Sequence, residues 1–110
     1  MFVRKVAILL KPNSISKFSR LMEEEVIPTL RKENGFQDVI TFFAPSEDAV
    51  TSISLWDKAS NAETYSRETY SAVLKKLAVV IEGTPKVHTY ETLNSTFHKN
   101  ATTLAAAACG

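Results

Sequence analysis

Four polar side chains near the carboxyl end are the residues of this sequence best suited to acid–base chemistry. They are His88, Tyr90, Asn94 and His98. In an extended chain, side chains two positions apart share one face, so all four fall on the same face of a predicted strand. An imidazole has an unperturbed pKa near ~6.5 and serves as a general base at neutral pH. We therefore take His88 and Asn94 as candidate catalytic residues, with Asn94 orienting a polar substrate.

Aromatic side chains are the candidates for the wall of a substrate pocket. They are Trp56, Tyr65, Tyr70 and Tyr90. Tyr65 and Tyr70 are five positions apart on one predicted helix, so we expect them to point to different sides and not to line one wall. Each candidate also has a structural alternative. Trp56 suits the core, since large aromatic side chains dominate small cores, and His88 suits a hydrogen bond across the sheet or a dimer seam.

Several kinds of site are excluded by residue type and spacing. Ten residues of strand separate His88 from His98 by ~33 Å, so one chain cannot bind a metal ion with both. Cys109 is the only cysteine, which leaves no internal disulfide and no thiolate metal site within one chain. The sequence has neither a glycine-rich phosphate loop nor a G-x-S-x-G elbow. We expect no metal ion and no cofactor.

The composition predicts one globular domain without a nucleic-acid or membrane partner. The chain has 110 residues, of which 45% are apolar, and its thirteen basic and twelve acidic residues give a net charge of +1. A balanced charge does not favour binding to a phosphate backbone. The apolar run at residues 6–10 is shorter than the ~7–15 residues of a signal peptide core, and no run reaches the ~20 residues of a membrane span. We expect a cytoplasmic protein.

The first half of the chain predicts a strand, a helix and a hairpin. Residues 3–10 are apolar on both faces, which indicates a strand covered on both sides. Apolar residues recur at three- and four-residue steps over 15–33, predicting an amphipathic helix that Pro28 kinks and Asn34-Gly35 ends. Residues 36–44 and 49–56 then predict two strands, and the short turn between them favours an antiparallel pair.

The second half predicts a helix, a long strand and a tail. Ser60 and Glu63 have the spacing of a capping box, which would begin a helix over 60–81. Gly83-Thr84-Pro85 predicts a turn, and residues 86–99 predict a strand much longer than the usual five or six residues. Residues 100–110 are rich in alanine and predict a disordered or fraying tail, so the domain is expected to span 1–99.

These elements predict an α+β fold of the ferredoxin-like type, with the order β-α-β-β-α-β and a four-stranded antiparallel sheet. Helices on one side only would leave an apolar sheet face uncovered, and an overhanging last strand invites a second copy of the chain. We therefore expect a homodimer formed through the sheet face and the last strand, in which two protomers build a dimeric α/β barrel.

Two stretches of the sequence resemble the antibiotic biosynthesis monooxygenase family. The first is ISLWDKASNAETY, residues 53–65, in which a strand ends in Trp56, a polar turn follows, and the next helix contains the Ala-x-x-Tyr step that ends at Tyr65. The second is IEGTPKVHTYE, residues 81–91. The resemblance spans about residues 3–98 and implies the dimeric α/β barrel. It argues against the haem-degrading branch, because Tyr65 and Lys75 stand where that branch has Trp and His.

Two functions follow as hypotheses. The first is a cofactor-independent monooxygenase, an oxidoreductase acting on an aromatic or quinol-type small molecule, as the resemblance implies. The second is a non-catalytic ligand-binding or stress-linked dimer of the same fold. A ligand-sensing regulator would need a DNA-binding segment that this sequence lacks. A cavity beside the sheet with an inward histidine would favour the enzyme, and a filled core with both histidines outside would argue against it.

Overall fold

A computed structural model describes residues 1–97, which form one antiparallel sheet with helices on one of its faces. The strands are β1 (Phe2–Leu10), β2 (Phe36–Ala44), β3 (Ala49–Trp56) and β4 (Ile81–Glu91). Their order across the sheet is β2-β3-β1-β4, and each neighbouring pair is antiparallel. The predicted ferredoxin-like α+β fold and the β2–β3 hairpin are confirmed.

The first helical segment is interrupted where the sequence predicts a kink. It comprises α1 (Ile15–Leu21), a π-helical turn (Met22–Val26) and α2 (Ile27–Arg31). Pro28 has no N–H to donate and its ring clashes with the carbonyl of residue 24, so a regular α-helix cannot continue through it. The wider π turn relieves this conflict, and Thr29 Oγ1 donates a hydrogen bond to the Glu25 carbonyl at 2.8 Å.

The second helical segment also differs from its prediction, because it consists of two helices, α3 (Ala59–Glu68) and α4 (Tyr70–Leu77). Thr69 separates them with a non-helical φ of −122°. Its N–H donates to the Tyr65 carbonyl at 2.9 Å, and its Oγ1 donates to Glu33 Oε2 at 3.0 Å. No helix among residues 1–97 is both long and apolar enough to cross a membrane.

The predicted capping box at the start of α3 is wrong. Lys58 occupies the N-cap position, and no side-chain hydrogen bond caps the helix. Ser60 is already inside the first turn, where its carbonyl accepts a hydrogen bond from Thr64 Oγ1 at 3.0 Å. The spacing of Ser60 and Glu63 is therefore one that a helix interior also permits.

The last strand begins and ends earlier than the sequence predicts. Gly83-Thr84-Pro85 is not an entry turn but an irregularity inside β4, where the pairing moves from Ala7↔Lys86 to Leu9↔Glu82. Gly83 takes a φ of +71° there. The last pair of the ladder is Phe2↔Glu91, and beyond it Thr92 N–H donates to the Met1 carbonyl at 2.9 Å.

Part of the predicted last strand and the whole predicted tail lie outside the described residues. His98, Cys109 and the alanine-rich residues 100–110 belong to this part. The boundary at residue 99 therefore stays a prediction.

The core lies between the helices and one face of the sheet. Along β1, the side chains that face the helices are Phe2, Arg4, Val6, Ile8 and Leu10, and all five are buried. The opposite face of the sheet carries large apolar side chains that are about half exposed. They are Leu9, Ile40, Phe42 and Tyr90. The prediction that an apolar sheet face remains uncovered in one chain is therefore confirmed for the described residues.

Candidate functional site

A small cavity lies between the helix-covered face of the sheet and the helices. Its volume is about 40 Å³. Most of its lining is aliphatic, and its polar lining residues are Arg4, Ser52, Ser54, Tyr65 and Tyr70. A water molecule occupies a share of ~30 Å³ in the liquid, and an engineered cavity that binds benzene measures ~150 Å³. The cavity therefore holds about one water molecule, and an aromatic ring enters only if side chains move.

Arg4 places a buried cation at this cavity. It pairs with Ser54 of β3, so its side chain points toward the helices, and the residue is only 3% exposed. Its Nε donates a hydrogen bond to Ser66 Oγ on α3 at 2.8 Å. Within residues 1–97, no carboxylate oxygen lies within 4.0 Å of the guanidinium. Since buried charges are usually paired, this one is exceptional.

Two tyrosine rings pack against the Arg4 guanidinium. Its central carbon lies 4.0 Å from the centroid of the Tyr70 ring and 5.2 Å from that of Tyr65. The two rings are 6.2 Å apart and both line the cavity. The expectation that they point to different sides of one helix is wrong. The two tyrosines belong to separate helices divided at Thr69, and both side chains point to the same cavity. The cation–π contacts stabilise a charge that has no acidic partner.

Both tyrosines are held in the neutral form. Burial raises the pKa of Tyr65 to about 12, although the Arg4 guanidinium acts in the opposite direction. Burial also raises the pKa of Tyr70, again partly offset by Arg4. The Tyr70 hydroxyl is buried, and a side-chain hydrogen bond from Arg4 also lowers its pKa; among residues 1–97 the hydroxyl proton has no acceptor. At neutral pH the cavity is therefore lined by a guanidinium and by phenols that can donate hydrogen bonds.

Trp56 packs against Tyr65 but does not itself line the cavity. It is fully buried, and its Nε1 donates to Ser54 Oγ at 2.9 Å. Its ring lies 5.2 Å from that of Tyr65 and 5.6 Å from that of Phe36. Ser54 Oγ in turn bonds to the Arg4 carbonyl at 3.4 Å. Trp56 is thus a core residue that fixes the position of Tyr65. This is the structural alternative to a pocket wall that the sequence offers for Trp56.

The structure does not bring the other predicted site residues to this cavity. His88 pairs with Lys5 and Tyr90 with Val3, so both lie on the helix-free face of the sheet. Asn94 follows the end of β4 and is exposed. No histidine among residues 1–97 points into the cavity. The catalytic roles of His88 and Asn94 stay predictions for a site other than this one.

Arg4 is the functional candidate that sequence reasoning missed. The alternation that places Val6, Ile8 and Leu10 on one face of β1 also places Arg4 on that face. A charged residue at an inward position of an apolar strand is rare unless it is paired or functional. This alternation is the sequence signal from which the inward position of Arg4 could have been predicted.

The cavity lacks an obvious general base. Of residues 1–97, those that line the cavity include no His, Asp, Glu or Cys. Glu33 is the acid that acts electrostatically on Tyr65, and its carboxylate accepts the hydrogen bond from Thr69. Within residues 1–97, no three potential metal ligands lie together. The chemistry that these lining residues supply is therefore hydrogen-bond donation and positive charge.

Comparison with known proteins identifies the fold through solved structures. No protein-family model matches the sequence, and no curated protein sequence matches it significantly. A protein of unknown function from Nitrosomonas europaea is similar, with a TM-score of 0.74 and 14% identity over 89% of this chain and 94% of that one. The chain has the same fold. The resemblance to the antibiotic biosynthesis monooxygenases is confirmed at the level of the fold by the following two structures.

One is the monooxygenase from the ActVA-Orf6 gene of Streptomyces coelicolor, in complex with the ligand nanaomycin D. It gives a TM-score of 0.72 and 19% identity over 89% of this chain and 92% of that one. The other is a protein from Bordetella bronchiseptica that is named as an antibiotic biosynthesis monooxygenase. It gives a TM-score of 0.70 and 14% identity over 84% of this chain and 98% of that one.

Proposed function

We propose that this protein is a monooxygenase-like enzyme of the antibiotic biosynthesis monooxygenase kind. It binds an aromatic or quinol-type small molecule between sheet and helices and needs no cofactor. The observation that carries the proposal is a cavity with aliphatic walls and one polar end, at which Arg4, Tyr65 and Tyr70 meet. Such a lining suits a ring with an oxygen substituent, which enters when side chains move to enlarge the cavity. The fold shared with the ligand-bound Streptomyces coelicolor monooxygenase supports it.

The reaction that this site would assist is oxygenation of an activated CH₂ group beside a phenolic ring. Loss of the acidic proton gives an anion whose charge is shared between ring oxygen and carbon. Dioxygen adds to that carbon, and one oxygen atom stays as a carbonyl while the other leaves as water with the two hydrogens of the CH₂ group. The substrate supplies all the electrons, so no external reductant is required. The apolar walls exclude water from the reactive carbon.

The protein's contribution would be orientation and charge stabilisation. The guanidinium of Arg4 and the hydroxyl of Tyr70 are donors at one end of the cavity, where the ring oxygen would bind. Such fixed donors act strongly in a site that excludes water. No lining residue accepts the substrate proton, so the proton would leave to solvent while Arg4 stabilises the anion. His88 and Asn94 remain candidates for a site formed between protomers.

We further propose a cytoplasmic homodimer. The uncovered face of the sheet, with its half-exposed Leu9, Ile40, Phe42 and Tyr90, is the surface that a second copy would bury. Exposed apolar patches of this kind mark interaction sites. The cytoplasmic location rests on the single cysteine, since secreted domains of this size commonly contain disulfides.

A non-catalytic ligand-binding protein is the second candidate, and one observation favours it. The cavity lining contains no general base, and enzymes that remove a proton usually position one. In that case the same residues would bind the ring without oxidising it.

Oxygen uptake by the purified protein, measured with a panel of hydroquinones and anthrones, tests the proposal. We expect uptake of one O₂ per anthrone consumed, with the corresponding quinone as product. Binding of the same compounds without uptake would contradict the enzyme and favour the ligand-binding protein. Neither binding nor uptake would contradict both.

A further inference from the structure

We infer that the cavity takes its ligand as a monoanion, and that one ionised oxygen on a planar ring becomes the counter-ion of Arg4. This inference rests on the location of the site in the proposed function and adds the charge of the ligand to it. It does not require that the ligand be oxidised. Three observations among the described residues support it: Arg4 has no carboxylate partner, the Tyr70 hydroxyl lies beside it, and the cavity lining carries no second charge.

The Arg4 guanidinium has hydrogen-bonding capacity that the protein leaves unused. A guanidinium has five N–H donors. Within the described residues Nε donates to Ser66 Oγ and the side chain also interacts with the Tyr70 hydroxyl, so most of the five donors are unused. Glu33, the acid that acts on neighbouring Tyr65, bonds instead to Thr69 Oγ1. Aromatic faces attract a cation but do not accept its in-plane N–H groups. An anionic oxygen from a ligand would satisfy both the charge and the donors.

A second donor lies beside this cation. The Tyr70 hydroxyl is buried, and its ring is the one stacked closest to Arg4 at 4.0 Å. Arg4 can only donate to this hydroxyl, so within the described residues the hydroxyl proton has no acceptor. A buried hydroxyl proton without an acceptor is costly, so native structures rarely leave one unless something else binds there. An anionic oxygen at this end of the cavity would accept from both groups.

The surroundings restrict the anion to a single charge on an apolar body. Among the described residues, Arg4 is the only charged one that lines the cavity, so a dianion such as phosphate would be left with an uncompensated charge. The remaining walls are largely aliphatic, with Val6, Val26 and Leu77 among them. A flat hydrocarbon ring matches the polarity of these walls and binds once side chains move to admit it. A carboxylate on a ring and an ionised ring hydroxyl share this chemistry.

Paired probes test the charge directly. Benzoate and benzamide have nearly the same shape but differ in charge, and 4-nitrophenol and 4-nitroanisole extend the comparison to an ionised hydroxyl. Binding is followed by calorimetry and by the fluorescence of Trp56, the single tryptophan, which stacks on Tyr65. We expect the wild type to prefer the anionic member of at least one pair by roughly tenfold or more, as a charged hydrogen bond predicts. A preference for benzoate would identify the ligand as a carboxylate on a ring, and a preference for 4-nitrophenol would identify it as an ionised ring hydroxyl.

Two variants assign the preference to Arg4. Arg4→Met keeps the length of the side chain and removes the charge, and should abolish the preference. Arg4→Lys keeps the charge but loses the planar fork, and should retain part of it. Circular dichroism confirms that each variant is folded. Should Arg4→Met not fold, the wild-type pairs and Arg4→Lys still decide the question.

Equal affinity of the wild type for the members of both pairs would overturn the inference, as would an anion preference that survives in Arg4→Met. Failure of the proposed function is a different result. In that case benzoate or nitrophenolate binds with the expected preference, but no anthrone or hydroquinone supports oxygen uptake.

Discussion

The guanidinium carbon of Arg4 lies 4.0 Å from the centroid of the Tyr70 ring, so a buried cation stacks on an aromatic ring whose buried hydroxyl proton has no acceptor among the described residues. Arg4 comes from the second inward position of β1, and Tyr70 is the first residue of α4. The contact joins the sheet to the helices at the polar end of the cavity. Two incompletely satisfied polar groups in one place identify the candidate site.

Arg4→Met should change stability little, in contrast to the loss of one partner of a buried ion pair. Within the described residues Arg4 has no carboxylate partner to leave behind, so the variant removes the cost of a buried charge and loses the cation–π contacts. We expect a change in the free energy of unfolding of no more than ~1 kcal/mol, measured by urea denaturation. A loss of ~3–5 kcal/mol, typical of a broken buried pair, would show that Arg4 is paired in solution.

Tyr65 should make the protein less stable at alkaline pH. Burial raises its pKa in the folded state from the ordinary 10.0 to about 12. Between pH 10 and 12 the unfolded chain loses this proton before the folded protein does, so stability present below pH 10 is lost as the pH rises. A shift of this size corresponds to about 2–3 kcal/mol.

Urea unfolding of the wild type and of Tyr65→Phe across this range isolates the effect, because other alkaline groups titrate in both proteins. Above pH 10 the wild type should lose stability relative to Tyr65→Phe. A difference that does not change with pH would mean that the Tyr65 hydroxyl is not buried as described.

Gly35 should tolerate a side chain far less well than Gly83. Both have positive φ angles, +81° and +71°. A Cβ at Gly35 would overlap Asp57 Oδ1 and Asn61 Nδ2, whereas a Cβ at Gly83 would meet nothing within 4 Å. Gly83→Ala should therefore cost about 1 kcal/mol for the left-handed backbone alone, and Gly35→Ala at least ~1 kcal/mol more for the overlap. Thermal and urea unfolding of the matched pair measures this, and equal costs would refute the packing at Gly35.

A charge on the helix-free face of the sheet should dissociate the proposed dimer. Phe42 lies on that face and is 51% exposed in one chain, and Val79, which precedes β4, is 56% exposed and serves as the control. We expect Phe42→Asp to be monomeric and Val79→Asp to remain dimeric, as measured by sedimentation velocity. A monomeric wild type, or an unchanged mass for Phe42→Asp, would contradict the role of this face.

The order of strands and helices along the chain could be predicted from the sequence because most of these elements carry their own local signals. Alternating apolar residues and short turns predicted β1, β2 and β3 within about one residue at each end. The ends of β4 could not be predicted from such local signals. They depend on how far β1 extends beside it and on an irregularity that accommodates Gly83 and Pro85 inside the strand.

The candidate site was predicted only in part for a related reason. The sequence identified Tyr65 and Tyr70, but a continuous helix would have separated them. The break at Thr69 is stabilised by Glu33, 36 positions away, so a local pattern cannot indicate it. The histidines are candidates by residue type alone. The register of β4 on β1 places His88 on the helix-free face of the sheet, away from the cavity.

Oxygen uptake by three proteins, with the anthrone or hydroquinone that the wild type consumes fastest, tests the central claim most directly. The proteins are the wild type, Arg4→Met and His88→Ala. If the cavity is the reaction site, Arg4→Met should lower the rate by at least roughly tenfold, as for loss of a charge-stabilising donor, and His88→Ala should leave it unchanged. Loss of uptake in His88→Ala together with full uptake in Arg4→Met would contradict the account and place the chemistry on the opposite face of the sheet.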